Sequence, residues 1–504
     1  MAALLAAAAA AADPAHVAPD VDASAAYATW CSDCHGANLE GARGPSLIAP
    51  QWRRPDAAAA LGRAIRDGAP ARGMPAWGGV LPQTAIEALA GLVVARNSTA
   101  AADGARPTSP QSAEPTAVRG ELHAFRIETI VEDSLDRPSS IAVLPDGQLL
   151  VADARGLRQS NERRSLSAPV VGLPPMDALQ DVAVHPDHAT NRWLYLTYVC
   201  SAACGHPDRH VYSLARGRLR GGRWLDAQLL ATFGDGDSSY GNSKIAFDGR
   251  GHVFYTLSGA ERPGLDPADF AAQIAKPQQL ASARGKVFRL HDDGRVPADN
   301  PFVGRPDALA AIWSYGHRGI SGLHYDRNGG VLWATEHGPW GGDELNRIER
   351  GGNYGWPLVS SGYHYAGAPI ESGTREGLIP PVFHWTPSVG VSNVVVYDGA
   401  AFPRWRGHLL VGSLGARIGR TLFRFELDGP RARLYAYPTD AAGRVLRDAA
   451  GNARPRVARF EEVAPDAGRI RDLRVGPEGY VYLLLEHPAR VVRLVPTPVA
   501  APDA

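Results

Sequence analysis

The four cysteines of this 504-residue chain fall as two close pairs, Cys31/Cys34 and Cys200/Cys204, and the first pair stands directly beside a histidine. Residues 30 to 35 read Trp-Cys-Ser-Asp-Cys-His, so two thiols at Cys-x-x-Cys spacing can form thioethers to haem vinyl groups while the imidazole of His35 coordinates the iron. A redox pair or half a zinc site competes with that reading, but zinc needs further ligands at compatible spacing, and no second pair lies nearby. The sixth iron ligand must be a soft neutral donor some tens of residues downstream. The stretch Ala-Arg-Gly-Met-Pro-Ala-Trp-Gly-Gly supplies Met74, one of three methionines in the chain. Cys200 and Cys204 follow an apolar strand-like run. In an oxidising compartment they are expected to form a local disulfide, with two free thiols or a redox role as the alternative.

The haem motif needs helices to hold it. A helical stretch precedes Cys31, Gly44-Pro-Ser-Leu47 follows, a second helix spans Ala58 to Asp67, and a closing helix runs from about Gln83 to Val94. In that last segment Ile86, Leu89, Leu92 and Val93 recur at helical spacing and give an apolar face. Residues 22–97 thereby resemble a class I c-type cytochrome, a small all-α domain. The resemblance implies a covalent haem c with His35 and Met74 as axial ligands, acting as a low-spin electron carrier.

Composition narrows the rest. The 52 basic and 52 acidic residues cancel, and only Lys244, Lys276 and Lys286 are lysines, so no global field would draw this chain to nucleic acid or anionic lipid. The 55 glycines and 40 prolines imply a turn-rich, β-leaning protein. Residues 1–21 resemble the apolar core and small-residue cleavage region of a secretory signal, expected to direct the protein to the periplasm. The first basic residue is Arg43, so the usual positive n-region is missing, and the true start is expected upstream or part of the signal trimmed. No later stretch is long and apolar enough for a membrane span.

Residues 98–118 have the Ala, Pro and Ser composition of a linker. Beyond it one pattern recurs six times: a small or polar residue, an apolar-x-apolar strand, a tight turn, and a second apolar strand. The copies begin near Ser140, Gln180, Ser243, Ser321, Ser392 and Ile470. Uneven spacing marks long insertions, and six two-strand units argue for an all-β six-bladed propeller over residues 119–498. Loops at one end and the axial channel are where such a fold places a cofactor. A non-enzymatic interaction propeller is the competing class.

Several words in order then carry a resemblance to the PQQ-dependent soluble aldose and glucose dehydrogenases, often labelled sorbosone dehydrogenase-like, from Leu122 to Pro496. They are Gly285-Lys-Val-Phe-Arg-Leu, Val296-Pro-Ala-Asp-Asn-Pro-Phe, Tyr315-Gly-His-Arg, Glu336-His-Gly-Pro, Asp343-Glu-Leu-Asn and Gly351-Gly-Asn-Tyr-Gly-Trp-Pro. Trp385-Thr-Pro-Ser and Gly468-Arg-Ile-Arg-Asp follow. The resemblance implies a tricarboxylate quinone, PQQ, held by Arg318, Arg469 and Arg471, with Thr386 and Arg417 as further contacts. It also implies a catalytic Ca²⁺ on the carbonyls of Gly338 and Pro339, and a second, structural Ca²⁺ at Glu344 and the Tyr354 carbonyl. Hard oxygen donors and forked guanidiniums suit those groups. Arg469 and Arg471 alternate along one strand and are expected to project to the same side.

The chain departs from this family at the base. Ungapped alignment puts Tyr240 where the family has its proton-accepting histidine, and a one-residue gap would put Ser239 there. An unperturbed tyrosine titrates near pH ~10 and is a poor base at neutral pH. A cofactor-contacting glutamine becomes Met176, an asparagine becomes Gly319, and Lys244 replaces an arginine. Asp181, at an inner strand start, is a candidate substitute base with a structural hydrogen bond as its alternative role, and His337 is a second candidate. His185, His188, His206 and His210 sit near turns and are expected to be solvated. The sequence thus points to a periplasmic quinohaemoprotein that oxidises a sugar or alcohol with PQQ and Ca²⁺. Its electrons would pass to its own haem and on to an external acceptor of the respiratory chain. The rival is a catalytically impaired propeller serving as a cofactor-binding or docking module.

Overall fold

The computed structural model describes residues 22–31, 35, 39, 46–48, 56–68, 77–78 and 81–99. It also describes residues 118–497 apart from 132–134, 162–163, 207–208, 235–241, 261–266, 340, 363–369, 372–374, 386–387, 416–420, 427–458 and 465–466. The chain divides into two compact units, 1–107 and 108–504. In the first, helices α1 (Ala23–Trp30) and α2 (Ala57–Asp67) each pack on α3 (Gln83–Thr99). The closing helix is thus longer than its apolar stripe suggested. Ile86, Leu89, Ala90 and Val93 of α3 are buried together with Tyr27, Leu61 and Ile65. Asn97 anchors the last turn, its Nδ2 donating to the Leu47 carbonyl at 2.7 Å.

The second unit is a six-bladed propeller. Strands β1 (Val118–Arg119) and β2 (Ala124–Val131) come first, followed by blade 1, made of β3 (Ser140–Val143), β4 (Leu149–Asp153) and β5 (Gly156–Gln159). Blade 2 comprises β6 (Ala178–Val184), β7 (Trp193–Cys200), β8 (Val211–Arg220) and β9 (Arg223–Phe233). Blade 3 comprises β10 (Ile245–Phe247), β11 (His252–Leu257), β12 (Lys286–His291) and β13 (Ile312–Tyr315). Blade 4 comprises β14 (Ile320–Asp326), β15 (Val331–Glu336), β16 (Asp343–Ile348) and β17 (Phe383–Trp385). Blade 5 comprises β18 (Val391–Val396), β19 (Leu409–Ser413), β20 (Leu422–Glu426) and β21 (Arg459–Glu462). Blade 6 takes β22 (Ile470–Val475), β23 (Val481–Glu486) and β24 (Ala489–Thr497) and is completed by β2 and β1, so the start of the propeller closes its end. Closure runs in register from Ala124 opposite Thr497 to Val131 opposite Val491.

Apolar patterning explains the stacking. Strands β4, β15, β18 and β19 are buried along their whole length, as expected for sheets covered on both faces. Each gap between neighbouring blades holds its own apolar core: Leu150 against Leu196 in the first, Val411 against Trp333 further round, and Tyr482 against Val151 where the ring closes. The first strands of all six blades contact one another in a closed ring. Cys200 and Cys204 form the disulfide the sequence suggested, with Cα atoms 5.8 Å apart. No helix among the described residues is long and apolar enough to cross a membrane.

Candidate cofactor site

The first strands, and in blade 3 the residue just before that strand, carry one polar or small residue each at the same position: Ser140, Asp181, Lys244, Gly322, Asn393 and Asp472. All but Gly322 clasp neighbouring blades. Asp181 accepts from the Ser140 hydroxyl at 2.5 Å, from the Ile245 amide at 2.9 Å and from Arg474 Nη2 at 2.9 Å. Asp472 accepts from Ser140 Oγ, from the Ile141 amide and from Asn393 Nδ2 at 2.7 to 2.9 Å. Asn393 in turn accepts from the Leu323 amide. Lys244 Nζ lies 3.7 Å from Asp181 and 4.0 Å from Asp472. Asp181 is fully buried with all these partners, an arrangement that makes it a blade clasp, the structural role the sequence left open beside that of a base.

Just before this ring, the ladders slip by one residue. In blade 2 Leu179 pairs with Tyr198 and Asp181 with Thr197, leaving Gln180 extra. In blade 6 Ile470 pairs with Leu485 and Asp472 with Leu484, leaving Arg471 extra. In blade 4 Ser321 is the extra residue. A bulge re-aims the side chain it carries. Gln180 and Arg471 both line an upper funnel of about 770 Å³, together with Arg155, Met176, Glu486 and His487. Arg471 Nη2 donates to Asn242, before the first strand of blade 3, at 3.2 Å.

The two arginines of blade 6 do meet, but through a carboxylate and not by simple alternation. Arg469 precedes β22, is 5% exposed, and donates through Nη1 to the Leu414 carbonyl at 2.6 Å. Its Nε and Nη2 each lie 3.0 Å from Glu486 Oε2, while Arg471 Nη1 lies 3.5 Å from Glu486 Oε1. Glu486 was not singled out by sequence. Its position at the end of β23, paired against the start of β22, was the available signal.

Blade 4 supplies the loop in which the sequence places a cation. Glu336, the last residue of β15, accepts from the Arg318 amide at 2.7 Å, from Asn346 Nδ2 at 2.7 Å and pairs with His317 Nδ1 at 3.0 Å. This fixes Arg318, whose Nη1 donates to the carbonyls of His337 at 3.1 Å and Gly338 at 2.7 Å, with the guanidinium 5.3 Å from the Trp356 ring. Two main-chain oxygens therefore already converge on a cationic group. At Gly338 a Cβ would lie 2.0 Å from the Gly341 carbonyl, so the loop requires glycine there. Asp343 secures the loop from below, accepting from the amides of Gly338, Val389, Gly390 and Val391.

His337 Nε2 lies 2.6 Å from the Val391 carbonyl, which only accepts, so this nitrogen carries the proton and Nδ1 the lone pair. Burial, with Arg318 and Arg471 also facing it, holds the His337 pKa below its ordinary value. Glu344 behaves oppositely. Burial, then Glu336 and Asp343, push its carboxyl well above the usual range, and it has no basic partner among the described residues. It lines a small void with Tyr354 and Ser360. A buried carboxylate among like charges, beside converging carbonyls, is a donor set that suits a hard cation. Among the described residues no three His, Cys, Asp or Glu side chains gather around one point, so such a cation would rely on main-chain oxygens.

In the first unit the Cys31 amide donates to Tyr27 and the His35 amide to Cys31 at 3.0 Å, setting Cys31 and His35 one helical turn apart, and His35 is 8% exposed. The described part of the motif fits a covalent haem. Cys34, Met74, Tyr240, Thr386 and Arg417 lie outside the described residues. Gly319, where the family has asparagine, lies with its Cβ direction 3.6 Å from His337. His185 and His188 are buried and not solvated, His185 being held by Asp292 and Asn191.

Comparison with known proteins matches residues 135–493 to the glucose/sorbosone dehydrogenase family and residues 20–93 to the family of cytochrome c oxidase, cbb3-type, subunit III. The chain is 32% identical to an aldose sugar dehydrogenase of Escherichia coli over 372 residues, covering 71% of this chain and 89% of that one. It is 26% identical to quinoprotein glucose dehydrogenase B of Acinetobacter calcoaceticus, covering 72% and 90%. Among solved structures, the apo form of the soluble aldose sugar dehydrogenase of Escherichia coli superposes with a TM-score of 0.61 at 29% identity, covering 74% of this chain and all of that one.

Proposed function

Because this chain belongs to the glucose/sorbosone dehydrogenase family and carries a cytochrome domain ahead of the propeller, we propose that it is a periplasmic quinohaemoprotein which oxidises an aldose or alcohol and passes the electrons to its own haem c. The observation that carries the reading is the blade 4 loop. There the carbonyls of His337 and Gly338 converge on the Arg318 guanidinium, and Arg471 lines the funnel. When bound, PQQ with Ca²⁺ would supply a two-electron acceptor whose quinone carbonyl the cation polarises.

The chain's own residues would do the rest. The carbonyls of Gly338 and Pro339 would hold Ca²⁺, with Glu344 and the Tyr354 carbonyl holding a second ion. Arg318 and Arg471 would orient an acidic cofactor through forked donors. His337, its Nε2–H fixed on Val391, leaves Nδ1 to accept a proton from a substrate hydroxyl beside those arginines. Cys31 and His35, with Cys34 and Met74, would hold the haem as the one-electron outlet.

A second reading is favoured by Glu486, which pairs with both arginines expected to grip the cofactor and offsets one of their two charges. In it the propeller is a docking module with weak cofactor affinity. The two separate when the haem-loaded protein is mixed with PQQ and Ca²⁺ and the haem spectrum is followed as aldoses and alcohols are added. Reduction with at least one substrate is expected. PQQ binding without haem reduction by any substrate would overturn the dehydrogenase reading, and absence of PQQ binding would favour the docking module.

A further inference from the structure

The channel has a second mouth. At the far ends of the first strands a cavity of about 710 Å³ is lined by one residue per blade at equal register: Ala142, Ala183, Ala246, His324, Val395 and Arg474. Four are small and apolar, which keeps the space open. The two polar ones stand on β14 and β22. From these we infer that the lower mouth of the propeller is a binding site for a small oxyanion, carboxylate or phosphate, received by His324, Arg327 and Arg474.

Arg474 is turned by its own clasp. Nη1 reaches Asp472 Oδ1 and Nη2 reaches Asp181 Oδ1, each at 2.9 Å, so these nitrogens are committed inward, while 19% of the side chain remains exposed and lines the cavity. Five N–H donors in a fixed fork leave capacity on the outer edge. His324 lies beside it and makes no hydrogen bond to any described group, although its imidazole lines the same space. Burial, then Arg474 and Arg327, lower its pKa to about 3, so it stays neutral with one N–H to give and no carboxylate acting on it. Arg327, exposed on the turn that follows β14, has no ion pair among the described residues and completes the rim.

Charge accounting gives the sign. Asp181 and Asp472 are balanced by Arg474 and Lys244. Of the other charged groups at this mouth, Asp398 and Arg406 offset each other, and His185 is already paired with Asp292. Arg327 is left over, so the potential around His324 is positive. An uncommitted imidazole N–H between two guanidiniums is a set of donors without an acceptor, and an oxyanion supplies what is missing. The site stands at the end of the channel opposite the cofactor funnel, and the clasp of Asp181, Asp472, Arg474 and Lys244 lies between them.

Isothermal titration of the full chain with sodium phosphate and with sodium gluconate, each against sodium chloride at equal ionic strength, tests this. Saturable binding of at least one probe is expected, and which probe binds tells carboxylate from phosphate. Losing a charge-assisted hydrogen bond in Arg327→Ala should weaken it by about tenfold or more. His324→Phe, which keeps the ring volume and removes the N–H, should weaken it in the same direction. No saturable binding of either probe, or binding undiminished in both variants, would sink the proposal.

Discussion

Glu486 shows how one side chain sets the charge of a site. It pairs with both Arg469 and Arg471 and offsets one of their two positive charges, so the funnel presents forked donors with a reduced positive field. Glu486→Gln should tighten PQQ binding, measured with Ca²⁺ present, by up to about tenfold, because a carboxylate close to an incoming carboxylate is removed. The same change should lower stability by about 1–3 kcal/mol, since buried Arg469 loses a charged partner. His324 gives a pH dependence of definite sign. Its folded pKa, about 3, lies below the ordinary value of 6.5, so the unfolded chain binds more protons between them. Its contribution is therefore fully present above about pH 6.5 and is lost as pH falls towards the folded value. Urea unfolding at about pH 7 and about pH 5 should show a smaller acid-side loss for His324→Gln than for the parent protein.

Among the elements, the ladder slips in blades 2, 4 and 6 turn neighbouring side chains to different tasks. One extra residue ahead of each ring position aims Gln180 and Arg471 into the funnel while Asp181 and Asp472 remain turned to neighbouring blades. A regular strand could not serve both. Asp181→Asn tests the division of labour. Removing one carboxylate from a buried set of two acids and two bases should cost about 3–5 kcal/mol in urea unfolding. PQQ affinity of the folded fraction should stay unchanged. A variant that keeps its stability but loses the chemical step would instead return Asp181 to the role of base.

For the whole molecule, the fusion matters through concentration. On the proposed reading a haem tethered to the propeller would be an acceptor at an effective concentration set by the length of the connecting segment. The rate of haem reduction after substrate addition should therefore be independent of protein concentration in the intact chain. After cleavage at a protease site introduced within residues 100–117 it should become proportional to concentration. A cleaved protein with unchanged, concentration-independent kinetics would show that the tether contributes nothing. The propeller has its own whole-molecule dependence: β2 closes blade 6 against β24, so 124–131 completes a ring whose other strand lies at the far end of the chain.

What the sequence by itself determined is local. The word from Cys31 to His35 carries its chemistry in its spacing, and Glu336-His-Gly-Pro carries a tight loop whose Gly338 leaves no room for a Cβ and whose Glu336 holds the Arg318 amide. Six copies of an apolar-turn-apolar unit announce six blades because each unit must cover the next. Asp181 could not be read in this way. In sequence it is a carboxylate at a strand start, fit for a base or for a hydrogen bond. Only ring closure sets it against Ser140, Ile245 and Arg474, the last of them 293 positions away. The same holds for Glu486 between its arginines and for His324 at the lower mouth. Their neighbours come from other strands or other blades, and a side chain's charge state and accessibility are set by neighbours in space.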